Sequence, residues 1–329
     1  MKKTRTLALL LALALVFSLC ACKKSGGETK VVPGDRNGDG KITIGYSAIA
    51  YAIAVLPQFL HSNVERECKT RNWDLIFLSA EGDVMKQGEQ VQQLVQQDPD
   101  YFILFPADPV LAIDWVNVIA DAGIPCIALY IDVDESVRNR VVAYCGVDNY
   151  DMASGIANKI IEDFGADAAL NIVMIGGVPV QTDYIQRNAA YNDVFAAKTN
   201  YKILGMEWAW SSRADAQTIM ENFISTYGAQ IDILIGMDDD LTLGGINALQ
   251  AAGMTDVPVY SNTGQKEAIA AIKEGKMTLS AFTSTAASVA EVMKVLDGLV
   301  AGNKPGDYYH YIETPHITKA NADQFQGEF

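Results

Sequence analysis

The chain has 329 residues, with 25 Lys and Arg against 40 Asp and Glu, and a formal charge of −15. Half of it is apolar, 20% is charged and 9% is aromatic, which excludes a disordered chain, a coiled coil and a multi-span membrane protein, and leaves length for two domains, each with its own core. The acidic balance excludes an electrostatic grip on nucleic acid or on an anionic membrane surface.

In chain order, the first segment is not part of a fold. Lys2, Lys3 and Arg5 precede a nearly unbroken apolar run over residues 7–19. That run is too short to span a bilayer and has the length of a signal-peptide core. It ends in Leu19-Cys20-Ala21-Cys22, which resembles the bacterial lipobox. By that resemblance residues 1–21 are removed and Cys22 carries the lipid; Cys20 would leave Leu19, too large, just before the cut. Acyl chains contribute about 0.8 kcal/mol per buried methylene, so several chains anchor stably. The alternative is an ordinary secretory signal with incidental cysteines. Residues 22–40 are polar and Gly-rich, with Pro33, and are expected to form a flexible tether. Inside this stretch, Asp35-Arg-Asn-Gly-Asp-Gly-Lys-Ile-Thr matches the first nine positions of an EF-hand-type calcium loop. Position 12 is Tyr46, where a carboxylate is needed, so residues 35–43 read as linker and no metal is assigned.

From Lys41 onward short apolar runs alternate with amphipathic ones. Strands are predicted over 42–47, 75–79, 101–105, 126–130, 141–145, 171–175, 201–207, 231–236, 257–261 and 279–282. A stripe of Met152, Ile156, Ile160 and Phe164 predicts a helix, capped by Asn149 or Asp151 and stopped by Gly165. Continuous apolar strands alternating with helices imply parallel sheets covered on both faces. An internal echo supports two similar halves: Asp121-Ala-Gly-Ile-Pro-Cys-Ile and Ala251-Ala-Gly-Met-Thr-Asp-Val-Pro-Val-Tyr each place Gly at a helix stop and Pro at a strand entry. Ligands in such sheets sit at the carboxyl ends of the strands, so two facing halves form a cleft. Cys126 and Cys145 fall in strands and read as small buried hydrophobes; Cys68 reads as a surface thiol. His61, His310 and His316 lack metal spacing, and no nucleophile elbow, P-loop or complete dinucleotide fingerprint is present. No cofactor and no enzymatic activity are expected.

The order of segments resembles the type I periplasmic sugar-binding proteins, the ribose- and galactose-binding group. The motifs are Ile42-Thr-Ile-Gly-Tyr-Ser, Gly123-Ile-Pro-Cys-Ile, Gly146-Val-Asp-Asn, Arg187 with Tyr191, Asp238-Asp239 with Leu243-Gly244, and Lys273-Glu-Gly-Lys. The similarity runs from about Lys41 to the C-terminus. It implies an α/β fold of two similar, doubly wound parallel-sheet lobes joined by a three-strand hinge. One lobe would comprise residues 41–148 plus 284–311, the other 149–283 plus 312–329. Hinge closure on a ligand follows from such a design.

The resemblance also implies the site. Ser47 ends the first strand, and Tyr51 is the one aromatic in the segment that follows. Tyr130, with Asp132 two positions on, stands where the family has a sugar-binding Asp. Arg187 matches the family's ligand arginine, and its five fixed donors suit hydroxyls, ring oxygens or a carboxylate. Trp210 is a candidate wall, Asp238 a candidate ligand group, and Asp239 or Asp240 the helix cap. Asn262 and Thr263 stand where the family has a second Asp, and Thr283 lies near its hinge-side amide. With two acids absent, the ligand is expected to be neutral and polyhydroxylated. The implied role is a membrane-anchored extracytoplasmic solute-binding protein, monomeric, working with an ABC transporter permease. A sensor feeding a histidine kinase or chemoreceptor is the alternative.

Overall fold

The structure, a computed structural model, describes residues 32–52 and 55–328. Cys22 and the leader lie outside the described residues. The first lobe is built on β1 (Thr43–Ala48), α1 (Val55–Arg71), β2 (Asp74–Ser79), α2 (Val84–Val95), β3 (Tyr101–Phe105), α3 (Ala112–Asp121), β4 (Cys126–Leu129) and β5 (Ala143–Gly146). The second follows with α4 (Asn149–Phe164), β6 (Leu170–Gly176), α5 (Thr182–Ala196), β7 (Tyr201–Trp208), α6 (Arg213–Tyr227), β8 (Ile233–Gly236), α7 (Asp239–Ala251), β9 (Val259–Thr263), α8 (Lys266–Glu274) and β10 (Leu279–Phe282). The chain then returns through α9 (Thr285–Val300) and β11 (Tyr309–Tyr311), and ends in β12 (His316–Thr318).

Two six-stranded sheets result, in the orders β11-β5-β4-β3-β1-β2 and β12-β10-β9-β8-β6-β7. Every described pairing is parallel except β10 with β12. The interior strands are apolar because helices cover both faces: all of β3 and all of β8 are buried. The late strands β11 and β12 each cross back to complete a different sheet, so three connections join the lobes, after β5, after β10 and after β11.

The internal echo is physical. Gly123 and Gly253 both end a helix at φ 72°, the left-handed region that glycine enters without strain. The carbonyls of Pro125 and Pro258 then each open a ladder, accepting from Phe102 N at 2.9 Å and Leu234 N at 3.1 Å.

Three local expectations are corrected. Residues 32–40 are an ordered turn rather than a tether. Asp35 Oδ1 and Oδ2 accept from Gly38 N (2.6 Å) and Gly40 N (2.8 Å). Asp100 fastens the turn to the sheet by accepting from Arg36 N (2.5 Å), Asn37 N (3.1 Å) and Thr43 N (2.7 Å). Among the described residues no group of three His, Cys, Asp or Glu is placed to hold a metal ion. The cap of α4 is Asp148, whose carboxylate accepts from Asp151 N at 2.9 Å; Gly165 does stop the helix. Cys68 is buried, because Leu60, Val64 and Cys68 repeat every four residues along the inner face of α1. Burial pushes its thiol up to about 12, so it stays protonated and inert.

Candidate functional site between the lobes

The carboxyl ends of both sheets meet, and unusual backbone concentrates there. Tyr130 (φ 67°), Trp210 (φ 50°), Ser211 (φ 58°) and Thr263 (φ 105°) all follow or end a strand in the left-handed region without being glycine. Each such residue costs on the order of 1–3 kcal/mol, and this kind of strain gathers where side chains must be aimed.

At the centre is Arg187, 2% exposed, on α5. Its Nε donates to Asn149 Oδ1 at 2.9 Å and its Nη1 to the Met237 carbonyl at 2.6 Å. Its Nη2 lies 3.8 Å from Asp183 Oδ2, one helical turn earlier. The guanidinium also sits over the Tyr184 ring, 5.3 Å from its centroid. Asp183 is 6% exposed, and its Oδ1 is buried with no hydrogen-bond partner. Burial pushes its carboxyl up, against the pull of Arg187 and of the nearby N–H groups of Tyr184 and Asp183 itself.

Asp238 caps α7: its Oδ1 accepts from Leu241 N at 2.9 Å, while its Oδ2 accepts from Tyr184 OH at 2.6 Å. This corrects the expected division of labour among the three acids. The cap is Asp238, not Asp239 or Asp240. Asp239 points into the lobe, accepting from Ser261 Oγ (2.6 Å), Ser280 Oγ (2.7 Å) and Gln265 N (2.6 Å). Asp240 pairs outward with Arg213. Tyr184 reaches Asp238 because Gly177 has no side chain; a Cβ there would stand 2.1 Å from the ring.

Asn262 is fully buried. Its Nδ2 donates to the Gly236 carbonyl (3.1 Å) and Tyr191 OH (3.3 Å), which fixes the amide and leaves Oδ1 without a partner. The Thr263 carbonyl accepts from Thr283 N at 3.1 Å and from Thr283 Oγ1 at 3.3 Å. Thr283 Oγ1 is 3.2 Å from Tyr130 OH, a neutral bridge between the lobes. Two further bonds cross: Gln181 Nε2 to the Ala107 carbonyl and Thr182 Oγ1 to the Asp132 carbonyl, each 3.4 Å. Tyr130, Asp238, Asn262, Thr263 and Thr283 are thus buried at the strand ends where the lobes meet, and Arg187 is buried on α5 beside them.

The other expected site residues are placed differently. Ser47 is fully buried and faces α2, because strand alternation puts Tyr46 and Ala48 in the core on the opposite face; its Oγ accepts from Gln87 Nε2 at 3.2 Å. Asp132 is engaged within its own lobe, accepting from Tyr308 OH (2.6 Å), Arg138 Nε (3.0 Å) and Val133 N (2.8 Å). Trp210 is 64% exposed and not in the buried cluster. Tyr51 stands at the surface, 36% exposed, edge-on to His61 and Phe77, with its N–H bonded to Glu81. Asn149, Asp183, Tyr184 and Gln181 belong to the cluster and were missed. The one signal for Asp183 was its spacing, four residues before Arg187 on one helix face.

A family model described as the periplasmic binding protein domain matches residues 44–304. The xylitol-binding protein of Mycolicibacterium smegmatis is 29% identical over 255 residues, 78% of this chain and 71% of that protein. The ribose import binding protein RbsB of Bacillus subtilis is 25% identical over 279 residues, 84% of this chain and 87% of that one. Among solved structures, an ABC transporter solute-binding protein from Bacillus halodurans with bound myo-inositol superposes with a TM-score of 0.79 at 23% identity, covering 86% of this chain and 96% of its own.

Proposed function

The chain belongs to the periplasmic binding protein family, in its type I sugar-binding group, and on that premise we propose that it captures a neutral, polyhydroxylated small molecule between its lobes and presents it to an ABC transporter permease. One observation carries the ligand class. The buried inter-lobe cluster sets two carboxylates, Asp183 and Asp238, against one guanidinium, Arg187, and adds only neutral hydroxyls and amides. Such a site favours hydroxyls, which both donate and accept, and opposes a further anion. The relatives named for xylitol and ribose agree with this class.

A thermal-shift series with D-ribose, D-xylose, xylitol and myo-inositol tests it. A ligand at a hundred times its Kd stabilises the folded state by about 2.7 kcal/mol, a rise of several degrees. No shift with any neutral sugar or polyol, and a shift with an anionic compound instead, contradicts the reading.

We also propose that Cys22 carries a lipid that holds the protein at the outer face of the cell membrane, the support being Leu19 and Ala21 before it and Lys23 and Lys24 after it. Cys22→Ala should then release the protein into the soluble fraction or leave it unprocessed. Unchanged processing and membrane retention exclude it.

A further inference from the structure

Outside the buried cluster, the lobes also meet at the end of the chain. The tail belongs to the second lobe. Phe325 packs against Phe282 of β10, with ring centroids 5.4 Å apart, and Asp323 pairs with Lys273 of α8 at 2.8 Å. Gly327 is buried against the head of α8. A Cβ there would stand 2.4 Å from Lys266 N and 2.8 Å from the Gln265 carbonyl carbon, so the tail lies this close because residue 327 has no side chain.

The next residue leaves that lobe. α9 is part of the first: it packs on α1, β4 and β5, and its Asp297 accepts two bonds of 2.9 Å from Arg71 of α1. The Glu328 carboxylate accepts from Thr285 N at 2.7 Å, from Ser284 Oγ at 2.5 Å and from Thr285 Oγ1. The Thr285 hydroxyl in turn accepts from Asn63 Nδ2 of α1 at 2.9 Å, and Asn63 Oδ1 accepts from Arg66 Nη1 at 2.6 Å. Lys266 meets the same helix: its Nζ stands 5.9 Å from the Phe59 ring centroid and donates to the Glu328 carbonyl at 3.4 Å. Phe59, Asn63 and Arg66 recur at helical spacing, so one face of α1 takes the whole contact.

Capping does not account for this arrangement. α9 already has its side-chain cap, Ser284 Oγ, which accepts from Ala287 N at 3.0 Å. An anion is favoured at a helix head, but nothing in that requires it to come from the other lobe. Glu328 reaches across the connection at Thr283 and Ser284, the two residues between β10 and α9, where a rotation of the lobes is absorbed. A contact that spans such a hinge is made only in the arrangement that lets both ends meet, and it therefore biases the equilibrium toward that arrangement.

We propose that the C-terminal tail is a clasp between the lobes. Glu328 and Lys266 hold α9 and α1 to the second lobe in the closed form, and they set how readily the chain closes whatever the ligand. The inference needs two lobes that rotate and does not depend on the ligand class.

The test is Glu328→Ala in the full mature chain, read by calorimetry with D-ribose, xylitol and myo-inositol and by small-angle scattering without ligand. Loss of the clasp lowers the population of the binding-competent closed form. Every compound that wild type binds should then weaken by one common factor, about three- to tenfold, and the ligand-free radius of gyration should rise. A role confined to the head of α9 lowers the melting temperature and leaves affinity and radius unchanged, which overturns the proposal. A loss that differs severalfold between compounds marks a ligand contact and overturns it too. If wild type binds none of the three, the polyol reading fails and the ligand-free radius decides alone: equal radii overturn the clasp. Should Glu328→Ala not fold, Lys266→Ala, at an exposed position, should show the same common loss, and unchanged affinity there overturns the proposal.

Discussion

Asp132 and Asp183 are both buried aspartates at the meeting of the lobes, and the Asp132 carbonyl accepts from Thr182, the neighbour of Asp183. Their chemistry differs. Asp132 is saturated by Arg138, Tyr308 and Val133 within the first lobe, whereas Asp183 has one oxygen without a partner and a countercharge only at 3.8 Å. The same contrast holds for the lobes as a whole. The first offers Tyr130 and closed internal networks such as Ser47 with Gln87; the second offers Arg187 and the partnerless oxygens of Asp183 and Asn262. Charge alone therefore does not identify a ligand group. What matters is the bonding capacity left after the fold has been satisfied.

The largest effect that would break this contrast is at Arg187. Arg187→Ala leaves Asp183 buried without its countercharge. It should cost about 3 kcal/mol of stability, as loss of one partner of a buried pair does, and abolish polyol binding. Denaturant unfolding and calorimetry together check it, and wild-type affinity would place recognition elsewhere.

A second expectation concerns pH. Burial pushes the Asp239 carboxyl up to about 7, outweighing its three hydrogen bonds. The folded pKa lies above the unfolded one, so the unfolded state ionises first. The Asp239 contribution to stability is therefore full below about pH 4, falls as pH rises toward 7 and levels off above it. The gap in unfolding free energy between wild type and Asp239→Asn should shift by a few kcal/mol across that window. A gap independent of pH contradicts it.

Asp132→Asn sharpens the comparison directly. It should lose about 1–3 kcal/mol of stability through the Arg138 and Tyr308 bonds, while polyol affinity changes less than about threefold, under 0.7 kcal/mol. A tenfold loss of affinity would move recognition to the first lobe. Tyr130→Phe removes only a neutral cross-lobe bond, so binding should weaken by about 0.5–1.5 kcal/mol. Trp210→Ala, at an exposed site, should stay within about 0.5 kcal/mol in stability and leave affinity unchanged; a larger loss of affinity would bring the indole into the cleft.

Much of the fold was legible because it rests on patterning. The ten strands predicted from apolar runs are all present within a few residues, and the Gly and Pro echo marks matching connections in each half. The three-residue strands β11 and β12 escaped because Tyr-His-Tyr and His-Ile-Thr carry too little apolar periodicity to register. At the site, position was more legible than chemistry. Arg187, Tyr130 and Thr283 sit at the lobe junction as expected. The sequence could not show which acids the fold consumes, because those partners are distant: Asp132 with Tyr308, Asp239 with Ser280. A single acid in the first turn of a helix, as Asp183 is, carries no motif that marks it. The Gly-rich stretch before β1 read as linker because its anchor, Asp100, lies 57 or more residues away.

A crystal structure of the mature chain with its tightest-binding neutral polyol tests the central claim most directly. It should show hydroxyl oxygens about 3 Å from Arg187 Nη2 and Asp183, with the Arg187–Asn149 bond kept and Asp132 still held by Arg138. A ligand bound outside the inter-lobe cluster, or inside it with no contact to either Arg187 or Asp183, would contradict the claim.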